Sequence, residues 1–199
     1  MTFVDPVCLE GQRLCLEPLS QDHLAGLQEA VTDGKLWELW YTSVPHPDQM
    51  AAEIVRRLAL QAQGEMLPFA VRRLDDGRLC GMTTLLHIDE TNRRVEIGAT
   101  WLAASAQGTG INPEAKLLLL THAFERLKCI AVELRTHFMN HQSRTAIARL
   151  GARQDGILRQ HQVMADGSYR DTVVFSIIDS EWPMVRRQLL HRLARREAL

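Results

Sequence analysis

The residues best suited to chemistry lie in one glycine-containing loop, Gln107-Gly-Thr-Gly-Ile-Asn-Pro-Glu114. Its two glycines allow a tight backbone turn and let an anion approach the amide groups closely. Asn112 is a favoured helix cap, Pro113 suits the first helical position, and Glu114 suits the positive end of the helix dipole. The loop therefore predicts a phosphate site at a helix N-terminus, although a plain glycine turn before a capped helix fits the same residues.

The loop departs from the two common nucleotide-binding signatures. Gly110 is followed by Ile111, whereas a Walker loop continues with lysine and then serine or threonine. A dinucleotide fingerprint belongs to a βαβ unit, but here the loop follows strands that are joined by tight turns. Both differences argue against ATP and NAD as ligands.

Glu96 and His161 are the two candidates for a general base. Glu96 lies within Val95-Glu-Ile-Gly98, where burial among apolar residues can adapt a carboxylate to proton transfer. The polar face of an alternating strand would explain the same glutamate without any catalytic role. His161 is the second choice, because imidazole is the side chain that most readily exchanges protons near neutral pH.

Two sets of potential metal or redox ligands are not expected to bind a metal. His137 and His141 have the spacing of a zinc pair, but they fall across a predicted strand–helix junction without a third ligand nearby. The cysteines show no paired spacing, so we expect reduced, mostly buried thiols. These cysteines are Cys8, Cys15, Cys80 and Cys129.

The composition is that of an ordinary globular protein, with 46% of the 199 residues hydrophobic and 24% charged. A formal net charge of -1 supplies no general attraction to nucleic acid or anionic lipid. The N-terminal residues lack a signal-peptide pattern, and no apolar stretch approaches the roughly 20 residues of a membrane helix. We therefore expect one cytoplasmic domain over residues 1–199, with no membrane partner.

The C-terminal segment is basic, which could indicate nucleic-acid binding. Its arginines, however, accompany an apolar stripe with helical spacing. We therefore expect residues 181–199 to form an amphipathic helix that docks on the body of the protein or on a second subunit, so that a homodimer is an open alternative and nucleic acid is not an expected partner. The stripe contains Trp182, Val185, Leu189 and Leu193, and the arginines are Arg186, Arg187, Arg192, Arg195 and Arg196.

Hydrophobic periodicity predicts the elements that position these residues. Strands are predicted at 12–19, 67–74, 79–88, 93–102, 130–136, 153–163 and 170–178, and helices at 20–32, 48–63, 113–127, 140–150 and from 181 onward. The order is β-α-α-β-β-β-α-β-α-β-β-α. It combines hairpins with helical crossovers, which predicts an α/β fold with a mixed, mostly antiparallel sheet in three α/β/α layers.

The loop and its position between a fourth strand and a third helix resemble motif A of the GNAT acetyltransferase superfamily, Gln/Arg-x-x-Gly-x-Gly/Ala. The longer stretch Gln107-Gly-Thr-Gly-Ile-Asn-Pro-Glu-Ala-Lys-Leu-Leu-Leu-Leu-Thr-His-Ala-Phe-Glu125 is similar to the branch that contains ribosomal-protein N-terminal alanine acetyltransferases. The similarity continues through residues 140–152, 155–159 and 166–176. It covers nearly the whole chain in the element order of the family, and Asn112 replaces the usual final Gly or Ala.

This resemblance implies a site for acetyl-CoA between two strands that splay apart, 93–102 and 130–136. Backbone groups of Trp101 and Leu102 would bind the pantetheine arm, and the side chain of Asn140 would contact it. Ser143 would also contact the cofactor and donate a proton to its thiolate, although Asn140 and Ser143 both fit helix-capping roles. The implied pyrophosphate site consists of Gln107, Gly108, Thr109, Gly110, Ile111 and Asn112.

The implied reaction transfers an acetyl group from acetyl-CoA to a primary amine by direct attack on the thioester. An α-amine has a pKa of about 8 and a lysine one of about 10.4, so a peptide N-terminus is the easier acceptor, with a small amine as the alternative. Trp37, Trp40 and Tyr41 either line the acceptor pocket or form a core cluster. A non-catalytic CoA-binding module and a ribosome- or RNA-associated binding protein stay open as alternative functions.

Overall fold

The computed structural model describes residues 3–197, with side chains through Arg195. The two residues at each end of the chain and the side chain of Arg196 lie outside the described residues. The prediction of a helix over residues 198–199 and the assignment of Arg196 to its basic face therefore fall outside them as well. The strands are β1 (Leu9–Glu10), β2 (Leu14–Pro18), β3 (Met66–Arg73), β4 (Leu79–Asp89), β5 (Arg94–Leu102), β6 (Ala131–His137), β7 (Arg153–Val163) and β8 (Tyr169–Ile178). The helices are α1 (Leu24–Thr32), α2 (Met50–Ala62), α3 (Ile111–Thr121), α4 (His141–Ala148) and α5 (Trp182–Glu197).

The strands form one sheet in the order β1-β2-β3-β4-β5-β6-β8-β7. Neighbouring strands are antiparallel except β5 and β6, which run parallel. Hairpins join β3 to β4 and β4 to β5, whereas the β5–β6 connection crosses over through α3. The predicted mixed, mostly antiparallel sheet is therefore confirmed.

Helices cover both faces of the sheet, and two buried side chains on β4 identify the faces. Arg57 of α2 donates to Thr84 Oγ1 at 2.7 Å, and Lys116 of α3 donates to Thr83 Oγ1 at 3.4 Å. Because adjacent residues of a strand point to opposite faces, α2 and α3 lie on opposite sides. The three-layer α/β/α arrangement is thus confirmed.

The main differences between predicted and observed elements lie in the first hairpin and in the third helix. The two-residue strand β1 was not predicted, because it is too short to show an alternating pattern. Gln12, predicted as the first strand residue, belongs instead to the turn between β1 and β2. The third helix begins at Ile111 rather than Pro113, and it continues as a π-helical turn over His122–Arg126.

The C-terminal helix α5 docks on the body of its own chain. All four residues of its apolar stripe are buried, and the ring of Trp182 stacks on Phe124 with centroids 5.4 Å apart. Trp182 Nε1 also donates to Glu125 Oε1 at 3.0 Å. The alternative contact with a second subunit stays a prediction. None of the described helices has the length and apolar character that a membrane crossing requires.

Candidate active site

The parallel strands β5 and β6 pair over only three residues and then separate. Arg94, Val95 and Glu96 pair with residues 131–133, and no pairing follows toward the carboxyl ends of either strand. A bulge in β5 accompanies the separation, because the register with β4 shifts between Met82 and Thr84 and Ala99 has φ 46. The bulge turns Ala99 to solvent and leaves an open gap with Glu96 at its apex.

The glycine loop lies at the β5 side of this gap and leads into α3. Gly110 is the N-cap, with a left-handed φ of 106. The prediction of Asn112 as the cap was wrong, because the left-handed glycine lets the helix begin at Ile111 and moves Asn112 into the first turn. The first-turn amides of Ile111 and Asn112 have no intrahelical acceptor and carry the positive end of the helix dipole, as an anion site requires.

Side chains within the loop hold its own backbone. Gln107 Nε2 donates to the Leu102 carbonyl at 2.9 Å, and Thr109 Oγ1 donates to the Ala106 carbonyl at 2.7 Å. Gly108 has φ +75, and no atom lies within 4 Å of where a Cβ would be, so this part of the loop is open to a ligand. Gln107 and Thr109 therefore hold the shape of the loop through side-chain hydrogen bonds to its backbone.

The β6 side of the gap carries Asn140 and Ser143 at the start of α4. Asn140 Oδ1 accepts a hydrogen bond from the Ser143 amide at 3.0 Å, so Asn140 is the N-cap of the helix. This cap engages only the oxygen of the Asn140 side chain and leaves its Nδ2 group as a donor. Both residues are half-buried where the ends of β5 and β6 separate.

Glu96 is buried, with 5% of its surface exposed, so it is not a surface glutamate on a polar strand face. Its Oε2 is held by His87 Nδ1 at 2.8 Å and by Arg135 Nε at 3.2 Å. Its Oε1 accepts no hydrogen bond within the described residues and lies over Gly98, where an added Cβ would be 2.7 Å away. One oxygen is thus fixed by two partners, and the other points along β5 toward the bulge and the gap.

Glu96 belongs to a row of charged side chains across β5 and β6. Glu133 lies directly opposite Glu96 and binds Arg94 Nη2 at 2.7 Å and Arg135 Nη2 at 2.8 Å. Arginine partners together with hydrogen bonds hold the pKa of Glu133 below its ordinary value, although burial acts in the opposite direction. Each carboxylate of the row is therefore oriented by at least one cation.

The structure does not bring His161 to Glu96. His161 is exposed on β7, and its Nδ1 lies 3.1 Å from Thr172 Oγ1 on β8. Strands β6 and β8 lie between β7 and β5, and His161 is level with Thr172 of β8, whereas Glu96 is level with Ser176 through Glu133. Glu96 and His161 cannot act on the same proton directly, and Glu96 is the residue at the gap.

An aromatic and basic cluster borders the gap on the face of Glu96. Trp40 is 62% exposed, and its ring meets His137 edge-on with centroids 5.3 Å apart, so it is not a core residue. The Met139 amide donates to His137 Nδ1 at 3.0 Å. Burial is the larger cause that lowers the pKa of His137, and the positive charge of nearby Arg170 is the smaller one. Trp37, by contrast, is half-buried and packs on His46. Trp40 is thus an exposed ring that packs on the buried His137, with Arg170 nearby.

Sequence reasoning missed Lys116, which lies on α3 beneath the bulge. Its Nζ donates to Thr100 Oγ1 at 2.8 Å and is buried with Thr83. Thr100 is half-buried on the part of β5 that does not pair with β6, so Lys116 connects α3 to the edge of the gap. Lys116 precedes the buried Leu120 by four residues and the buried Ala123 by seven, so helical spacing puts it on their apolar face. This spacing could have predicted that Lys116 is buried.

Lys116 predicts a specific dependence of stability on pH. Burial lowers the pKa of Lys116 to about 7, so between about pH 7 and pH 10 the unfolded chain binds more protons than the folded chain. Its contribution to the free energy of unfolding therefore rises with pH across this window, by at most about 1.4 kcal/mol per pH unit. Lys116→Met should remove this slope in urea unfolding at pH 7 and pH 9, whereas the exposed control Lys128→Met should keep it. Equal slopes in the wild type and Lys116→Met would contradict the assignment.

Two buried polar atoms beside the gap have no protein partner within the described residues. They are the indole Nε1 of Trp101, whose residue is 5% exposed, and Oδ1 of Asn112 in the first turn of α3. Buried polar groups normally have a partner, so these two atoms are suited to water or to a bound ligand. Together with the open loop and the splayed strands, they fit a long, phosphate-bearing ligand such as acetyl-CoA. In the described residues, no group of three or more His, Cys, Asp or Glu side chains is arranged to hold a metal.

Comparisons with known proteins agree with this geometry. Residues 13–153 match the family described as "Acetyltransferase (GNAT) domain". The chain is 37% identical over 109 residues to the Bacillus subtilis protein YdaF, whose name provisionally assigns it to ribosomal N-acetylation; this match covers 55% of the chain and 58% of that relative.

Two solved structures cover nearly the whole chain. A GCN5-related N-acetyltransferase from Brucella melitensis is 31% identical, with a TM-score of 0.83 over 96% of this chain and 86% of that one. Mycobacterium smegmatis RimJ, solved in complex with CoA-disulfide, is 25% identical, with a TM-score of 0.78 over 94% and 95%. The family match, the matching fold and the splayed strands lead to one conclusion: this chain belongs to the GNAT family of acetyltransferase domains.

Proposed function

We propose that this chain transfers the acetyl group of acetyl-CoA to the primary amine of a protein acceptor, with the α-amine of a polypeptide N-terminus as the preferred nucleophile. The observation that carries the proposal is the gap between β5 and β6, with the free Oε1 of Glu96 at its apex. Acetyl-CoA, when bound, supplies an activated thioester carbonyl. The residues around the gap would bind acetyl-CoA, orient the acceptor amine and remove its proton.

The binding roles divide between the two sides of the gap. Amides of residues 108–112 would hold the pyrophosphate, supported by the dipole of α3. Backbone groups of Trp101 and Leu102 on the unpaired edge of β5 would bind the pantetheine arm, and Asn140 Nδ2 would donate to it from the β6 side. Ser143 Oγ is the proposed proton donor to the leaving sulfur.

Glu96 is the proposed general base. Its Oε1 would accept a proton from the acceptor amine, directly or through one water, while His87 and Arg135 keep the carboxylate oriented through Oε2. An α-amine, with a pKa of about 8, needs less help from a carboxylate than a lysine side chain near 10.4. This difference favours N-terminal acceptors, and the name of the Bacillus subtilis relative favours ribosomal proteins among them. Such an acceptor also fits a cytoplasmic location.

A thiol-release assay tests the acceptor class. Acetyl-CoA is combined with peptides that begin with serine, alanine or methionine, with the same peptides blocked at the N-terminus, and with free amino acids and polyamines. We expect kcat/KM to be at least about tenfold higher for free peptide N-termini than for small amines, and no turnover of blocked peptides. A preference for small amines would replace the protein acceptor. Absence of thiol release with every acceptor would favour a non-catalytic CoA-binding module.

Gly110→Ala should weaken CoA binding through the backbone of the loop. An alanine side chain is strained at φ 106, so the N-cap turn and the first-turn amides would shift. We expect CoA affinity to fall about tenfold or more, equivalent to about 1.4 kcal/mol, measured by titration calorimetry or by the rise in Tm with CoA. Gly167→Ala is the matched control, because Gly167 has φ +82 in the turn between β7 and β8 and lies outside the loop. Equal CoA affinities in the two variants would argue against this loop as the pyrophosphate site.

A further inference from the structure

Two cysteine thiols meet at the base of the N-terminal hairpin formed by β1 and β2. Cys8 Sγ lies 2.7 Å from Cys15 Sγ. A disulfide has a sulfur–sulfur distance of about 2.05 Å, so the two atoms need to approach by only about 0.7 Å to reach bonding distance. Cys80 and Cys129 are buried elsewhere in the fold and have no such neighbour among the described residues.

The hairpin explains why these two residues meet. Strand β1 pairs with β2 through Leu9↔Leu16 and Glu10↔Cys15, which fixes Cys15 near the start of β2. Cys8 directly precedes β1 and lies outside the ladder, so its side chain can turn toward Cys15. The approach is therefore built on a short, hydrogen-bonded hairpin rather than on a flexible tail.

The two thiols differ in access, which sets the order of reaction. Cys8 is exposed, whereas Cys15 is buried. Burial, followed by the hydrogen bond and the charge of Cys8, raises the pKa of the Cys15 thiol to about 12. An oxidant in solution therefore reaches the exposed Cys8 first, and the buried Cys15 is the thiol that then attacks it.

The same hairpin is hydrogen-bonded to the start of α3. The Gln12 amide donates to Glu114 Oε1 at 2.5 Å, and the Arg13 amide donates to Glu114 Oε2 at 3.2 Å. Glu114 is buried in the first turn of α3, directly after the glycine loop. A covalent link at the base of the hairpin thus constrains the segment that holds this turn.

We propose that Cys8 and Cys15 form a reversible disulfide in the presence of a peroxide or a small-molecule disulfide, locking the hairpin that holds Glu114 at the start of α3. With a peroxide, the Cys8 thiol is oxidised to a sulfenic acid and one water is released. The Cys15 sulfur then attacks the Cys8 sulfur, the S–O bond breaks, and the Cys15 proton leaves with the hydroxide as a second water. The peroxide is reduced by two electrons, and a dithiol reductant restores both thiols.

Mass spectrometry of the full chain tests the site independently of any acetyl transfer. The protein is treated with hydrogen peroxide or oxidised glutathione, free thiols are blocked with N-ethylmaleimide, and the digest is searched for linked peptides. We expect a peptide joining Cys8 to Cys15, loss of two reactive thiols together, and their recovery with dithiothreitol. Cys80→Ser should leave this link unchanged, whereas Cys15→Ser should abolish it.

Thermal unfolding measures whether the disulfide stabilises the hairpin. A link that closes a loop this short should raise Tm by roughly 5 °C in the oxidised wild type, and dithiothreitol should reverse the rise. Cys8→Ser treated with the same oxidant should show no rise. A sulfinic or sulfonic acid at Cys8 beside a free Cys15, or disulfide-linked dimers through Cys8, would overturn the proposed site. A Cys8–Cys15 disulfide with an unchanged Tm would contradict the proposal that the disulfide constrains the hairpin.

Discussion

Glu96→Gln is expected to lower turnover by about 10²–10⁴-fold while acetyl-CoA binding is unchanged. The amide keeps the shape of the side chain and can still contact Arg135, but it cannot accept a proton through the oxygen that faces the gap. The loss should therefore fall on kcat, measured by thiol release at saturating acetyl-CoA, and the rise in Tm produced by CoA should be preserved. A hydrogen-bonded role alone would leave most of the turnover intact.

Glu133→Gln is the matched control for this experiment. Glu133 lies directly opposite Glu96 in the strand register and shares Arg135 as a partner, but Glu96 is the carboxylate at the gap. Loss of the Glu133 charge should disturb the ion-pair row and change turnover by less than about tenfold. If both variants lose turnover equally, the row as a whole orients the site and Glu96 is not the base.

Gly81→Ala is expected to destabilise the fold by about 3 kcal/mol and to remove the response of Tm to CoA. An added Cβ at this position would lie 2.1 Å from the Trp101 carbonyl oxygen and 3.0 Å from Leu102 Cα, so backbone atoms on both strands must move. The φ of +156 adds strain for any side chain. Trp101 and Leu102 form the proposed pantetheine edge, and the displacement therefore reaches the cofactor site. Urea unfolding measures the free energy of unfolding.

Gly77→Ala is the control that separates the effect of a positive φ from the effect of a steric clash. Gly77 has φ +72 in the turn between β3 and β4, and no atom lies within 4 Å of its added Cβ. This variant should lose only about 1 kcal/mol of stability and should bind CoA normally. Similar losses in the two variants would mean that the contact with Trp101 relaxes without cost, contrary to our expectation.

Local patterns were enough to predict most of the fold. Hydrophobic periodicity predicted α1, α2 and α5, and it also predicted the two strands that form the hairpin of β3 and β4. These features depend on neighbours a few residues apart, so they can be read along the chain. The start of α3 could not be assigned in the same way, because the left-handed turn at Gly110 depends on how the loop meets the sheet.

Contacts between distant residues decided the details of the site. Only the strand pairing, which joins residues 94–96 to 131–133, shows that Glu96 lies at the apex of a gap and that two strands separate it from the strand of His161. The burial of Lys116 against Thr83 and Thr100 likewise joins a helix to two strands of the sheet. Such contacts cannot be predicted from hydrophobic periodicity, because the periodicity around each residue reflects only the helix or strand to which that residue belongs.

The sequence by itself determined that this chain has an α/β sheet with a glycine-containing loop before its third helix, because glycine positions and apolar periodicity are local properties. The resemblance of that loop to GNAT acetyltransferases indicated the family. Only the tertiary structure decided which carboxylate oxygen faces the gap, which thiols meet and which lysine is buried. Those outcomes depend on the pairing of strands and the bulge at Ala99, and both arise when segments far apart in the chain pack together.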